Sequence, residues 1–347
     1  MSKVIKFGNT IIGDNCPCYV MLEAGVNFDN IKGVRKLIDS AVNSGANAIK
    51  FQTFHADTTV VKGVNLRDGR GIINQYEELK ESEKKQTKEF QEKLFLYAKQ
   101  RKITAFSTPS HYKDVDLLEE IASPPIYKVG SDDLSNIPLL KYIARLKKPI
   151  IISSGVSYLS EIDSAIRAIR EEGNDKIVLL HCVSQYPANP EDLNLKKISL
   201  LRQIFDIPVG LSDHTTTLSI PIAAVALGAC VIEKHYTLDR DAPGPDNFFS
   251  MLPSEIKSIV KKIREVELAL GNVRNDIGNS EKEMRKVFRK SIHAVKDIRK
   301  GEIITRENID TLRPLGGIDP ALMPYIFGMR IQKNMLSGEP LTWDCFK

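Results

Sequence analysis

The chain has 347 residues, 42% apolar and 27% charged, with 49 basic against 44 acidic side chains and a formal net charge of +5. That balance excludes a disordered chain, and the length exceeds one ordinary domain while suiting a large barrel with a small companion. The slight positive excess is spread along the sequence, which argues against a nucleic-acid footprint and fits an anionic small substrate.

The first residues, MSKVIKFGNT, contain no apolar core of the kind a secretory signal needs, so a cytoplasmic protein is expected. The longest apolar run, residues 220–232, holds Pro221 and Gly228 and is too short to span a bilayer. Five cysteines (Cys16, Cys18, Cys182, Cys230 and Cys345) lie mostly in apolar runs and read as reduced thiols. Cys16 and Cys18 have no matching pair elsewhere, so a zinc cluster is not expected.

In chain order, KVIKFGNTIIGDN reads as a hairpin that closes the bottom of whatever follows. Eight strand candidates then alternate with helical-period segments: CYVMLEAG, ANAIKFQT, ITAFSTP, IYKVGS, PIIISSG, IVLLHCV, IPVGLSDH and ACVIEKH. Segments such as IKGVRKLIDSAVNSG carry apolar residues at helical spacing and end in glycine. Near-continuous apolar strands alternating with helices predict an α/β fold with a parallel sheet covered on its outer face. Eight such units over roughly 250 residues predict a (β/α)8 TIM barrel. A doubly wound open sheet is the alternative, but no G-x-G-x-x-G follows the first strand. A polar insert, residues 57–88, separates the second and third strands and reads as a long functional or mobile loop. The barrel domain is placed at 1–275, a polar linker at 276–290, and a second, β-rich domain at 291–347.

The strands end in polar residues. They are Glu23; Lys50 and Gln52; Ser107 and Thr108; Lys128 and Ser131; Ser153 and Ser154; His181 and Ser184; Ser212, Asp213 and His214; Lys234 and His235. Each alone has a plain explanation: a serine makes a turn, a lysine snorkels to water, a histidine satisfies the core. Eight such ends together are costly to bury without purpose, and barrel enzymes build their sites at that face. Lys50 and Lys128 with Thr108, Ser131, Ser153, Ser184 and Ser212 form a cradle for phosphate and carboxylate oxygens. His214 and His235, on adjacent strands, can converge on one ion. Two ligands are too few for structural zinc but suit a divalent ion with open positions, Mn²⁺ first, Mg²⁺ or Co²⁺ next. Glu23 and Asp246 remain for proton handling or sugar hydroxyls.

The motifs LEAGVN, AIKFQT, AFSTP, YKVGSDDLSNIPLL, IISSGV, LLHCVSQYP, VGLSDHT, IEKHYTLDRDAPGPD and LRPLGGI run in order over nearly the whole chain. At these residues the sequence resembles the sialic acid (N-acetylneuraminate) synthase family, which condenses phosphoenolpyruvate with an N-acylated hexosamine. The resemblance implies a metal-dependent barrel followed by an antifreeze-like (SAF) domain that caps the site of a partner subunit in a domain-swapped homodimer. It implies metal ligation by His214 and His235, with Glu23 orienting or deprotonating water. It gives phosphoenolpyruvate to Lys50, Thr108, Lys128, Ser131, Ser153, Ser184 and Ser212, and the acceptor sugar to Glu23, Tyr186, Asp246 and Arg313, with Gln52 and Asp133 nearby. Two positions depart from the family pattern: Phe28 follows Asn27 where many members have histidine, and Asp133 stands where some members have glutamate. Both bear on the choice of sugar. N-acetylmannosamine is the acceptor expected first, a 2,4-diacetamido-2,4,6-trideoxyhexose second. A synthase acting on a phosphorylated arabinose or erythrose would need a second phosphate site. An inactive carbohydrate-binding barrel would have lost some of these lysines and histidines, and none is lost.

Overall fold

β1 (Val4–Phe7), whose burial alternates, and β2 (Thr10–Gly13) pair antiparallel as the expected hairpin. The structure is a computed structural model and describes residues 4–7, 10–28, 30–68, 70–272 and 276–347. After the hairpin come β3 (Tyr19–Gly25), β4 (Ala48–Thr53), a small antiparallel pair β5 (Asn65–Asp68) and β6 (Gly71–Asn74), then β7 (Thr104–Pro109), β8 (Tyr127–Val129), β9 (Ile150–Ser153), β10 (Ile177–Cys182), β11 (Val209–Asp213) and β12 (Val231–His235). Eight of these form one parallel sheet in the order β7-β4-β3-β12-β11-β10-β9-β8, and the outermost two, β7 and β8, lie side by side. The eight candidates read from sequence are these eight strands, wrapped into a nearly closed α/β barrel.

Pleating sorts the strand residues into two cores. Val20, Leu22, Ile49, Phe51, Val129, Ile152, Leu179, Leu211 and Ile232 face outward and pack under the helices. Tyr19, Met21, Ala48, Phe106, Ile151, Val178, Leu180 and Val231 fill the interior together with Ile5, Phe7 and Ile12 of the hairpin. The hairpin therefore plugs the amino-terminal end of the barrel, as period-two burial on both faces requires.

The insert at 57–88 is not the open loop expected. It holds a short helix (Ala56–Thr59), the β5–β6 hairpin and a helix (Gln75–Lys84). Asn74 caps that helix by accepting from Glu77 N, and Tyr76 Oη donates to Asp57 Oδ1 at 2.6 Å. Among the described residues no helix is long and apolar enough to cross a membrane.

By internal contacts the chain divides into Met1–Gly271 and Asn272–Lys347. The second unit opens with a helix, Asn279–Phe288, inside the stretch read as a polar linker; its charged composition hid a 3.6-residue period. It continues with β13 (Ser291–Ala294) and β14 (Ile309–Leu312), antiparallel, over a core that includes Ile292, Ile304, Ile326, Ile331 and Leu341.

Candidate active site

Two residues beyond the apolar plug, the same inward faces turn polar. Glu23 on β3, Lys50 on β4 and Lys128 on β8 are 1–3% exposed, so each ion depends on partners inside the barrel. Lys50 Nζ lies 2.5 Å from Glu23 Oε2 and donates to Thr108 Oγ1 at 2.8 Å. Gln52 Nε2 donates to Glu23 Oε1 at 2.9 Å, fixing the other carboxylate oxygen. Lys128 Nζ donates to Ser153 Oγ at 2.7 Å and sits 3.9 Å from Glu233 Oε2. Ser212 Oγ donates to Glu233 Oε1 at 2.9 Å.

Electrostatics separate the two lysines. Burial works against the Lys50 ammonium, but Glu23 and Glu233 outweigh it and hold its pKa above the ordinary value. At Lys128 burial wins and lowers the pKa despite Glu233, with the Lys50 charge adding to the effect. Burial likewise opposes charge on Glu233, yet Lys128 and Lys50 pull its carboxyl down to about 2. Two cations and two carboxylates thus share one buried chamber, an arrangement that an incoming polyanion can enter by pairing with the lysines.

Ser131 and Ser184 come from loops after β8 and β10 and meet at Gly155. Gly155 N donates to Ser131 Oγ at 3.0 Å, and a β-carbon at Gly155 would lie 2.1 Å from Ser184 Oγ and 2.7 Å from Ser131 Oγ. Only glycine leaves room for both hydroxyls. Cys182, with its Sγ 3.9 Å from Ser184 Oγ, borders the same corner. Burial would raise its thiol, but His214, Ser131 and Lys128 together lower it.

The imidazoles of His214 and His235 face each other with ring centroids 5.2 Å apart. His214 Nδ1 is tied to Val183 O at 2.8 Å, so its Nε2 is the nitrogen left for other work. His235 Nδ1 is buried, lies 3.4 Å from Asp246 Oδ2, and makes no hydrogen bond. Tyr186 packs on His214 with centroids 4.3 Å apart, and Phe249 on His235 at 4.9 Å. Among the described residues no group of three or more His, Cys, Asp or Glu is set to enclose an ion. The two imidazoles could supply two nitrogen ligands to one divalent ion, too few for a closed structural site, and His235 Nδ1 is a buried ring nitrogen with no hydrogen-bond partner.

Asp246, Glu23 and Gln52 converge at Gly25. Its φ of +51° suits glycine, and a β-carbon there would lie 3.1 Å from Asp246 Oδ2, 3.3 Å from Glu23 Oε1 and 3.6 Å from Gln52 Nε2. Burial opposes ionisation of Asp246, but His235 and His214 outweigh it and lower its pKa, with Arg70 of the β5–β6 hairpin contributing. The Arg70 guanidinium also lies 5.8 Å from the Phe248 ring centroid, which ties the insert to the loop that carries Asp246.

The remaining candidates are less central. Asp133 accepts from Asn136 Nδ2 at 2.9 Å, and burial raises its carboxyl to about 6. Phe28 stacks on Phe90 with centroids 5.3 Å apart and belongs to the outer core, so an aromatic at that position serves packing. Arg313 is exposed in the second unit, its guanidinium 5.1 Å from the Phe288 ring centroid. Four strand-end residues face away from the chamber. Ser107 bonds Thr53 Oγ1, His181 bonds Leu193 O, and Asp213 pairs with Lys234. Sequence reasoning passed over Glu233 as a site residue, although it stands two places before His235 on one strand and must share its face.

A nearly closed parallel barrel with buried lysines, hydroxyls and paired imidazoles at the carboxyl ends of its strands has the architecture on which barrel enzymes build their sites. The sequence matches the NeuB family over residues 37–275 and a SAF domain over 289–347. The chain belongs to the NeuB family. It is 38% identical over 342 residues to the N,N'-diacetyllegionaminic acid synthase of Legionella pneumophila, covering 96% of this chain and 95% of that one. It is 34% identical over 340 residues to a pseudaminic acid synthase of Campylobacter jejuni, covering 95% and 96%. Among solved structures, the N-acetylneuraminic acid synthetase of Leptospira borgpetersenii, in complex with citrate, superposes with a TM-score of 0.73 at 34% identity, covering 82% of this chain and 95% of that one.

Proposed function

We propose that this protein is a nonulosonic (sialic-type) acid synthase that condenses phosphoenolpyruvate with an N-acylated hexosamine such as N-acetylmannosamine and releases phosphate. The observation that carries this reading is the buried chamber in which Lys50 and Lys128, each backed by a hydroxyl, stand at the same barrel end as two facing imidazoles. Lys50 with Thr108 and Lys128 with Ser153 hold the phosphate and carboxylate of phosphoenolpyruvate, with Ser131, Ser184 and Ser212 donating to the remaining oxygens. Glu23, Gln52 and Asp246, gathered around Gly25, hold the open-chain sugar, and Tyr186 walls it. Arg313 of the SAF domain belongs to the acceptor site of a second subunit in this reading.

In the reaction, carbon 3 of phosphoenolpyruvate bonds to the aldehyde carbon, water adds at carbon 2, and phosphate leaves with cleavage of its carbon–oxygen bond. Holding both reactants in a water-limited chamber converts a bimolecular step into a local one. Glu23, held by Lys50 and Gln52, is placed to orient or take a proton from water or a sugar hydroxyl. His214 and His235 would hold a divalent ion, Mn²⁺ first, which when bound supplies Lewis acidity toward a carbonyl oxygen.

The test is phosphate release from phosphoenolpyruvate with Mn²⁺ and, separately, N-acetylmannosamine or 2,4-diacetamido-2,4,6-trideoxyhexoses. Release with one acceptor, abolished by EDTA and restored by Mn²⁺, is expected. No release with any acceptor, from folded protein that binds phosphoenolpyruvate, would reject the synthase reading; full activity in protein shown to be metal-free would reject the metal.

A further inference from the structure

Behind the two imidazoles lies a second charged pair that touches no part of the chamber. Asp213 and Lys234 are direct neighbours in the β11–β12 ladder, each one residue ahead of a histidine. Residues 212 and 214 on one strand and 233 and 235 on the other face inward, so 213 and 234 point the opposite way. Lys234 Nζ lies 2.7 Å from Asp213 Oδ2, and the two side chains are 2% and 0% exposed. The same ammonium donates to Thr215 O. Asp213 accepts in turn from Thr215 N at 2.9 Å and from Thr215 Oγ1 at 3.3 Å.

The residues on both sides of His214 are therefore tied to one ammonium, and that ammonium is carried by the residue before His235. His214 itself is anchored through Nδ1 to Val183 O, and its carbonyl accepts from Ala188 N at 3.0 Å. A buried ion pair is a poor device for stability, because apolar residues of similar volume are usually neutral or better. Such a pair does fix geometry, since its partners tolerate little displacement.

Resting on the reading of His214 and His235 as metal ligands, we propose that Lys234 and Asp213 are a positioning pair that sets the separation of the two imidazoles and thereby the affinity of the site for its ion. Outer groups that orient metal ligands typically change affinity about 10–100-fold when removed. The pair does so here through the backbone of residues 213–215.

The experiment is Mn²⁺ titration, followed by loss of the free-ion EPR signal, on the full chain and its variants. His235→Ala should abolish binding. Lys234→Met alone leaves Asp213 as an uncompensated buried charge and can unfold the barrel. The informative variant is therefore the neutral double, Lys234→Met with Asp213→Leu. It should fold, at a melting temperature lowered somewhat because buried Thr215 N and O lose their partners, yet bind Mn²⁺ about 10–100-fold more weakly. A folded double variant with wild-type Mn²⁺ affinity overturns the positioning role. A double variant that fails to fold overturns it too, because the pair would then be holding the barrel rather than the imidazoles. Wild-type Mn²⁺ binding that survives His235→Ala shows instead that the metal reading of the histidines has failed.

Discussion

The two ends of the barrel interior are built on the same strands, two residues apart, and differ in almost every property. Met21 is followed inward by Glu23, Ala48 by Lys50, Phe106 by Thr108, Ile151 by Ser153, Leu180 by Cys182 and Val231 by Glu233. The lower layer is a dry plug sealed by Ile5, Phe7 and Ile12 of the hairpin. Apart from half-buried Thr108, the upper layer is buried too, yet it contains two ammonium groups and two carboxylates. Burial alone therefore does not separate core from site. What separates them is charge: the plug is apolar but for the Tyr19 hydroxyl, whereas the upper layer balances charge against charge and leaves ionisable atoms, such as Glu233 Oε2 and His235 Nδ1, without hydrogen-bond partners.

The comparison breaks if the layers do not respond differently to truncation. Phe106→Ala, in the plug, should cost about 3–5 kcal/mol of stability, because the rigid wall cannot collapse on the cavity. Urea unfolding checks this, and the Michaelis constant for phosphoenolpyruvate should hardly move. A Phe106→Ala protein as stable as wild type would show that the plug is loosely packed.

Lys128→Ala, one layer up, should act the other way. Losing a charge-assisted contact to a buried anion should cost about 1.5–3 kcal/mol of binding, one to two decades in the Michaelis constant for phosphoenolpyruvate. The constant for the acceptor should change far less. Steady-state kinetics in both substrates decides it: equal damage to the two constants would remove Lys128 from the anion cradle.

The smallest effect belongs to Asp133, at the rim. Burial lifts its folded-state pKa from 3.8 to about 6, so the folded chain holds a proton that the unfolded chain releases. Stability from this group is present below the unfolded pKa and declines as pH rises from about 4 to about 6. Asp133→Asn should remove that decline. The variant should gain stability over wild type across the window, by no more than about 1–2 kcal/mol once partial solvent screening is discounted, and stay level above it. Urea unfolding at pH 4, 5, 6 and 7 measures this; parallel profiles for the two proteins would place the titrating proton elsewhere.

Much of this contrast is written in the strands themselves. Apolar runs ending in Lys50, Lys128 and His235 announce a barrel with polar strand ends, because only strands covered on both faces read that way. Choosing among adjacent polar residues needed the pleat. Ser107, His181, Asp213 and Lys234 end strands as visibly as their neighbours do, and all four point away from the chamber. Glu233 is the converse, a chamber residue hidden beside two more conspicuous ones. The insert and the helix Asn279–Phe288 read as loop and linker because polar surface helices and short hairpins carry weak apolar periodicity.

The sequence by itself determined the eight strands, the hairpin plug, the small terminal domain and the chemical types gathered at one barrel end. These follow from periodicities that a single strand or helix imposes locally. Tertiary structure alone decided that Ser131 and Ser184 meet over Gly155, that Asp246 joins Glu23 and Gln52 over Gly25, and that one buried ammonium ties both flanks of His214. Those meetings join residues brought together by strand register and loop closure, and no local pattern encodes which loops will touch.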